Sequence, residues 1–199
     1  MSTDGAFSAD PWLWFRDSFA RAGRSETFDA SRAALATVGA DGRPSVRFVL
    51  VKHADERGFV FFTNFDSTKA RDLLARPHAA LAFHWATISE QVRAEGSVER
   101  VTDQEADAYF GSRPRGSQLA AWASRQSAEI ADRAALQAQY EAARQRFADQ
   151  ASVARPPFWG GFRLQPVRIE FWHGRDDRLH DRWSFERNVG SWRMRRLQP

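Results

Sequence analysis

Short runs of alternating apolar and polar residues, separated by turn residues, follow one another along most of this chain, and that pattern limits the fold more than any other feature. Arg32 to Gly39, the turn Ala40-Asp41-Gly42, and Pro44 to Lys52 predict a β-hairpin. In its second strand Val46, Phe48 and Leu50 point one way, while Arg47, Val49 and Val51 point the other. Further strands are expected at Gly58–Asn64 after the polar loop HADER, at residues 79–85 and 90–101, and at residues 160–174, 178–187 and 191–199. Helices are inserted between them. Asp10-Pro11 caps an apolar-periodic run, and Ser67 precedes a short helix stopped by Pro77. Thr102 with Glu105 forms a capping box, Pro114 starts a helical stretch, and Ser127 to Ala148 reads as a long amphipathic helix. Six to eight strands in consecutive hairpin order predict a mainly β fold with inserted helices: an antiparallel, Greek-key-like barrel rather than a doubly wound sheet. The 199 residues suit one domain spanning the whole chain, with residues 1–9 as a flexible tail.

Composition excludes several function classes. There is no cysteine, hence no disulfide framework and no thiolate metal site. The five histidines are scattered, and none are paired at helical metal-site spacing, so no metal is expected. The apolar runs are too short to cross a bilayer and no secretory signal opens the chain, so a cytoplasmic protein without membrane contact is expected. A net charge of +4 with no run of five basic residues gives no footprint for nucleic acid. The signatures of dinucleotide folds, P-loops, hydrolase elbows and zincins are all missing. Of the 29 basic residues, only Lys52 and Lys69 are lysine, which marks both as candidates for work that needs a compact ammonium.

Four clusters carry candidate chemistry. Arg47 to Lys52 lies near Thr63 and Ser67-Thr68-Lys69, where a helix N-terminus and an ammonium would converge on an anion. Tyr109, Arg113, Arg115 and Ser117 gather in a turn between helices, a donor set suited to a phosphomonoester. Gln126 and Ser127 open the predicted long helix. Arg178, His180 and Arg182 share one face if they lie on a strand, and three such groups repel unless an anion or carboxylates compensate them. Trp172, nearby, offers a flat wall for a ring system.

Taken together, RFVLVK, FFTN, EQV, YFGSRPRGSQLAAWASRQS, FWGGF and IEFWHGRDDRLHDR resemble, in order, the pyridoxamine 5'-phosphate oxidase family over about residues 10–199. The resemblance implies an FMN-binding split β-barrel working as a homodimer, with two flavin sites at the subunit interface. Such enzymes oxidise pyridoxine or pyridoxamine 5'-phosphate to pyridoxal 5'-phosphate, with O2 reoxidising the flavin to give H2O2. By matching position, the FMN contacts would be Arg47, Phe48, Val49, Leu50, Val51, Lys52, Phe62, Thr63, Lys69, Gln91, Gln126, Ser127, Trp172 and Arg182. Lys52, Tyr109, Arg113 and Ser117 would meet the substrate phosphate, and Arg178, Leu179 and His180 would lie at the substrate, with Arg178 and His180 as the catalytic pair. Two positions and the N-terminal segment depart from the family pattern, His173 being a tolerated change. Thr68 replaces a basic residue, His173 replaces a common glutamine, and the nine residues before Asp10 contain no arginine, lysine or tyrosine where the family carries a basic segment that folds over substrate. Two other readings remain open: a related split-barrel flavoprotein acting on another ring, such as a phenazine, and a flavin- or pyridoxal-phosphate-binding protein with little catalysis.

Overall fold

Two three-stranded antiparallel meanders close edge to edge into a six-stranded barrel in a computed structural model, which describes residues 10–199. The first comprises β1 (Arg32–Val38), β2 (Pro44–Asp55) and β3 (Gly58–Asn64); the second comprises β4 (His78–Trp85), β5 (Glu90–Arg100) and β6 (Trp159–His173). Pairing of β1 with β4 and of β3 with β6 closes the ring, and β7 (Asp181–Asn188) and β8 (Ser191–Leu197) extend the sheet beyond β6. The expected antiparallel barrel is what forms. The alternation read in β2 also holds: Val46, Phe48 and Leu50 are exposed while Val51 is buried. The polar loop expected after Lys52 is shorter than predicted, because β2 runs on to Asp55 and turns at Glu56-Arg57.

The main core fills the barrel, and α1 (Pro11–Ser25) closes over it. Asp10 accepts a hydrogen bond from the Trp12 N–H at 2.9 Å, fixing the helix start. One turn apart on its buried face, Trp12 packs on Phe59 at 5.1 Å and Phe15 on Phe83 at 5.2 Å between ring centroids. A second apolar cluster (Phe110, Leu119, Phe147, Val153, Trp159) joins α3 (Asp103–Ser112), α4 (Arg115–Ala123) and α5 (Arg133–Arg146) to the start of β6. The Thr102–Glu105 capping box is present in both directions. The helix expected over Ser127–Ala148 is corrected: it starts only at Arg133, where Asp132 accepts from the Ala135 N–H, and residues 124–132 form a loop. Among the described residues no helix is long and apolar enough to cross a membrane. The expected tail, residues 1–9, lies outside the described residues.

A buried carboxylate fastens α1 to the sheet. Glu90 is paired with Arg21 of α1 and with His173 Nδ1 at 3.2 Å. Burial pushes the Glu90 carboxyl up, but hydrogen bonds from His173, Arg21 and Ser18 outweigh it and bring it down to about 2. Because the folded value is depressed, this stabilisation is complete above the ordinary value of 4.5 and is lost as pH falls from there toward 2. Its size is about 3 kcal/mol, at about 1.4 kcal/mol per pKa unit. Glu90→Gln should therefore lower unfolding stability in urea by roughly that much at pH 7, and the gap to wild type should narrow at pH 3; an equal gap at both values contradicts this role.

Candidate functional site

A cavity of about 340 Å³ opens between the barrel wall and the helical layer. Strand β2 supplies Phe48, Val49, Leu50 and Lys52, and β3 supplies Phe62, Thr63 and Asn64. Lys69 enters from α2 (Thr68–Ala75), and Tyr109 and Arg113 enter from the end of α3. Gln126 comes from the loop after α4. Ten of the residues singled out in the sequence therefore meet in one place. Asn64, Ala120, Ala121, Ser124 and Trp159 also line it and were not among the predicted site residues. All five lie inside the motifs quoted above, Asn64 in FFTN, Ala120, Ala121 and Ser124 in YFGSRPRGSQLAAWASRQS and Trp159 in FWGGF, but none was singled out as a site residue.

The cavity wall is a stack of flat rings. Phe62, Tyr109 and Trp159 form a near-parallel triangle of rings, with Phe62 at 4.1 Å and 18° from Tyr109 and at 5.5 Å and 7° from Trp159, and with Tyr109 at 6.1 Å and 11° from Trp159. The two glycines that follow Trp159 make room for this. A Cβ on Gly161 would meet the Phe62 ring at 2.8 Å, and one on Gly160 would meet Phe65 at 2.4 Å.

Two cations face this cavity with no carboxylate in salt-bridge range among the described residues. Lys69 Nζ donates to Gln126 Oε1 at 3.2 Å and to Thr63 Oγ1 at 3.3 Å, both neutral acceptors. Burial, and then the nearby Arg47 charge, lower its pKa. Arg113 lies 4.8 Å above the Trp159 ring, and its Nη1 is sealed from solvent with no hydrogen-bond partner in the described structure. Burial lowers its pKa too. A buried cation without a counter-charge is costly, so an anion arriving here recovers solvation that the protein has removed. Lys52, by contrast, sits 3.8 Å from Asp29. Burial raises the Tyr109 phenol, which keeps it a proton donor at neutral pH.

Several predicted residues lie elsewhere. The Arg47 guanidinium is engaged by Thr37 Oγ1 and Ser45 Oγ, each at 2.6 Å, with Asp72 at 3.7 Å, and Val51 points into the core. Neither lines the cavity. Arg115 turns away to the Phe147 carbonyl at 2.6 Å, so the phosphate-type donor set reduces to Tyr109 and Arg113, with Ser117 outside the cavity on α4. Ser127 does not open a helix. It stands in the loop with φ 72°, and its Oγ accepts from the Thr68 N–H at 3.3 Å. The Ser67 side chain does not cap α2; its Oγ donates to the Asn64 carbonyl at 2.7 Å.

The fourth cluster needs the largest correction. Arg178 and His180 are not on a strand: Asp176–Arg178 form a 3-10 turn, β7 begins only at Asp181, and Arg178 has φ 61°. The expected stack of like charges is absent because only Arg182 of the three lies on β7, and Glu170 at 2.9 Å compensates it. Even so, His180 reaches the Trp172 ring at 4.5 Å, and the register places Gln91 opposite Trp172 and Trp172 opposite Arg182. These residues form a second group on the outward face of β5–β7, with the Arg178–His180 turn beside it. None of them lines the cavity of the same chain. Four described non-glycine residues have positive φ, and two of them are Ser127 and Arg178, backbone strain of the kind that collects at functional positions.

Residues 24–147 match the pyridoxamine 5'-phosphate oxidase family profile, and residues 159–199 match the pyridoxine 5'-phosphate oxidase C-terminal dimerisation region. A pyridoxine/pyridoxamine 5'-phosphate oxidase of Anaeromyxobacter dehalogenans is 55% identical over 190 residues, covering 96% of each chain. One from Rubrobacter xylanophilus is 48% identical and covers 100% of this chain and 91% of its own. Among solved structures, PhzG from Burkholderia lata 383, in complex with tetrahydrophenazine-1-carboxylic acid, has a TM-score of 0.89 at 31% identity, covering 98% of this chain and 95% of its own. A pyridoxamine 5'-phosphate oxidase-related FMN-binding protein from Nostoc punctiforme shares the fold, with a TM-score of 0.75 at 20% identity over 96% of this chain and 98% of its own. With a family profile over most of its length and relatives above half identity, the chain belongs to the pyridoxamine 5'-phosphate oxidase family of flavin-dependent oxidases.

Proposed function

We propose that this protein is an FMN-dependent oxidase that converts pyridoxamine and pyridoxine 5'-phosphate to pyridoxal 5'-phosphate, with O2 as acceptor and H2O2 as by-product. The observation that carries this reading is the pair of cations, buried Lys69 and half-buried Arg113, facing one ring-walled cavity that no carboxylate lines among the described residues. Two separate cationic anchors suit two phosphorylated aromatic molecules, one held by each. The donor set fits a flavin nucleotide: Lys69, Thr63, Gln126 and Ser127 would hold it, together with the backbone of β2 from Phe48 to Leu50. When bound, the flavin supplies the hydride-accepting redox chemistry. Lys52, Tyr109 and Arg113 would grip the substrate phosphate, the phenol donating as a neutral group, while Ser117 on α4 stands outside the cavity lining.

The site is completed by a second copy of the chain. Gln91, Trp172, Arg178, His180 and Arg182 stand outside the cavity of their own chain, and the apolar stripe Val46, Phe48 and Leu50 lies exposed beside that cavity. A twofold homodimer would cover the stripe and bring the partner's strand face to the cavity, consistent with the dimerisation-region match. There Arg178 would orient the substrate ring and His180 would hold or pass a proton.

Purified protein should be yellow, and should form pyridoxal 5'-phosphate and peroxide from both substrates. A protein that stays colourless with added FMN overturns the reading. The similarity to PhzG supports a second reading, oxidation of an unphosphorylated tricyclic ring. A yellow protein inert on both B6 phosphates and active on tetrahydrophenazine-1-carboxylic acid would establish that one instead.

Lys69→Ala should weaken FMN binding by about tenfold to a hundredfold, the worth of one charge-assisted contact, with substrate KM unchanged at saturating flavin. Flavin fluorescence titration reads this directly. Arg178→Ala and His180→Ala should each lower kcat about a hundredfold with FMN affinity within about threefold of wild type; loss of flavin instead would reassign both residues.

A further inference from the structure

The outward face of β5, β6 and β7 holds a carboxylate that the reading above does not use. Glu170 is 4% exposed although it lies on the face turned away from the barrel core, where its neighbours in register are Arg93 on β5 and Ser184 on β7. Arg93 Nη2 donates to Glu170 Oε2 at 2.7 Å, and Arg182 Nε donates to Glu170 Oε1 at 2.9 Å. One carboxylate thus bridges two guanidinium groups across three strands. The Arg182 Nη1 also donates to the Gln198 carbonyl at 3.0 Å, so this guanidinium is held on two sides. Its remaining N–H groups, on the terminal nitrogens, are left for a ligand.

The charge count argues against a purely structural bridge. Two guanidinium groups against one carboxylate leave a net +1, and the neighbouring Arg168–Glu95 pair is already neutral in itself. A packing element built only for stability would be balanced, or apolar. Arg182 lies in register with Trp172 and Gln91, and Glu170 stands two residues before Trp172 on β6, so the surplus borders that row. We infer that Glu170, anchored by Arg93, is a positioning residue that fixes the Arg182 guanidinium for contact with the flavin nucleotide. The inference rests on the reading of Arg182 as a flavin contact, and the test separates the two.

FMN affinity is measured by flavin fluorescence quenching on the apoprotein for wild type, Glu170→Gln, Arg182→Ala and the double variant. Arg182→Ala should weaken binding about tenfold or more, and Glu170→Gln by nearly as much. The double variant should bind no more weakly than Arg182→Ala alone, because Glu170 acts through that side chain. Glu170→Asp, which keeps the charge, should restore part of the affinity, and KM at saturating FMN should not move. If Arg182→Ala binds FMN normally, the flavin-contact reading of Arg182 fails. If it binds weakly while Glu170→Gln binds normally, or if the two losses add in full, the inference itself is overturned. Should Glu170→Gln fail to fold, Arg93→Ala replaces it in the same cycle; it leaves the Glu170–Arg182 pair in place and should weaken binding about threefold, with unchanged affinity counting against the inference.

Discussion

Arg113→Ala is expected to raise KM for pyridoxamine 5'-phosphate by about a hundredfold or more while kcat stays within about threefold. A guanidinium that meets a phosphate makes charge-assisted hydrogen bonds worth about 1.5–3 kcal/mol each, and two of them correspond to a hundredfold or more in affinity. Their contribution is the same in the ground state and in the transition state, because the phosphate is remote from the reacting carbon, so the loss belongs in KM. The structure adds a reason for a large effect. Arg113 is already desolvated over Trp159, with Nη1 sealed and unbonded, so binding anion there costs little further desolvation. Steady-state kinetics check this, with the unphosphorylated vitamer as control: it should react equally poorly with both proteins. An unchanged KM would remove Arg113 from the phosphate site and favour the ring-oxidase reading.

Phe48→Glu is expected to give a monomer that has lost its flavin. Val46 and Phe48 are 70% and 72% exposed on one strand face, an apolar stripe that a stable soluble chain covers. In a twofold interface each substitution acts twice. Each copy loses about 2 kcal/mol of apolar burial and adds an unpaired buried carboxylate costing several more, so dimer affinity should fall by at least about a thousandfold. Sedimentation and the flavin absorbance of the isolated species measure both consequences. A variant that remains dimeric and yellow would show that this stripe is not the interface, and would leave the separation of His180 from the Arg113 cavity without its explanation.

The elements that were legible in the sequence are those with local codes. Gly58–Asn64 is a short apolar run bounded by turns and forms a strand with the expected bounds, and Asp103–Ser112 starts at its own capping box. The misread elements had a local pattern that tertiary contacts overrode. Residues 127–132 share the helix-favouring composition of α5, yet Gln126 and Ser127 are drawn toward Lys69 and Thr68, and the helix waits for Asp132. Arg178, His180 and Arg182 have strand period, but Asp177 and Arg178 take positive φ and turn the chain before β7 starts.

By itself the sequence determined the hairpin order, the caps, the inward and outward faces of β2, and the marking of its two lysines, because periodicity and capping act over a few residues. Tertiary structure alone decided which charges are compensated. Glu170 sits 77 residues from Arg93 and meets it only through strand pairing, whereas Lys69 and Arg113 come to face one cavity with no carboxylate beside them. Burial and counter-charge are properties of distant segments brought together, and they set where an anion can bind.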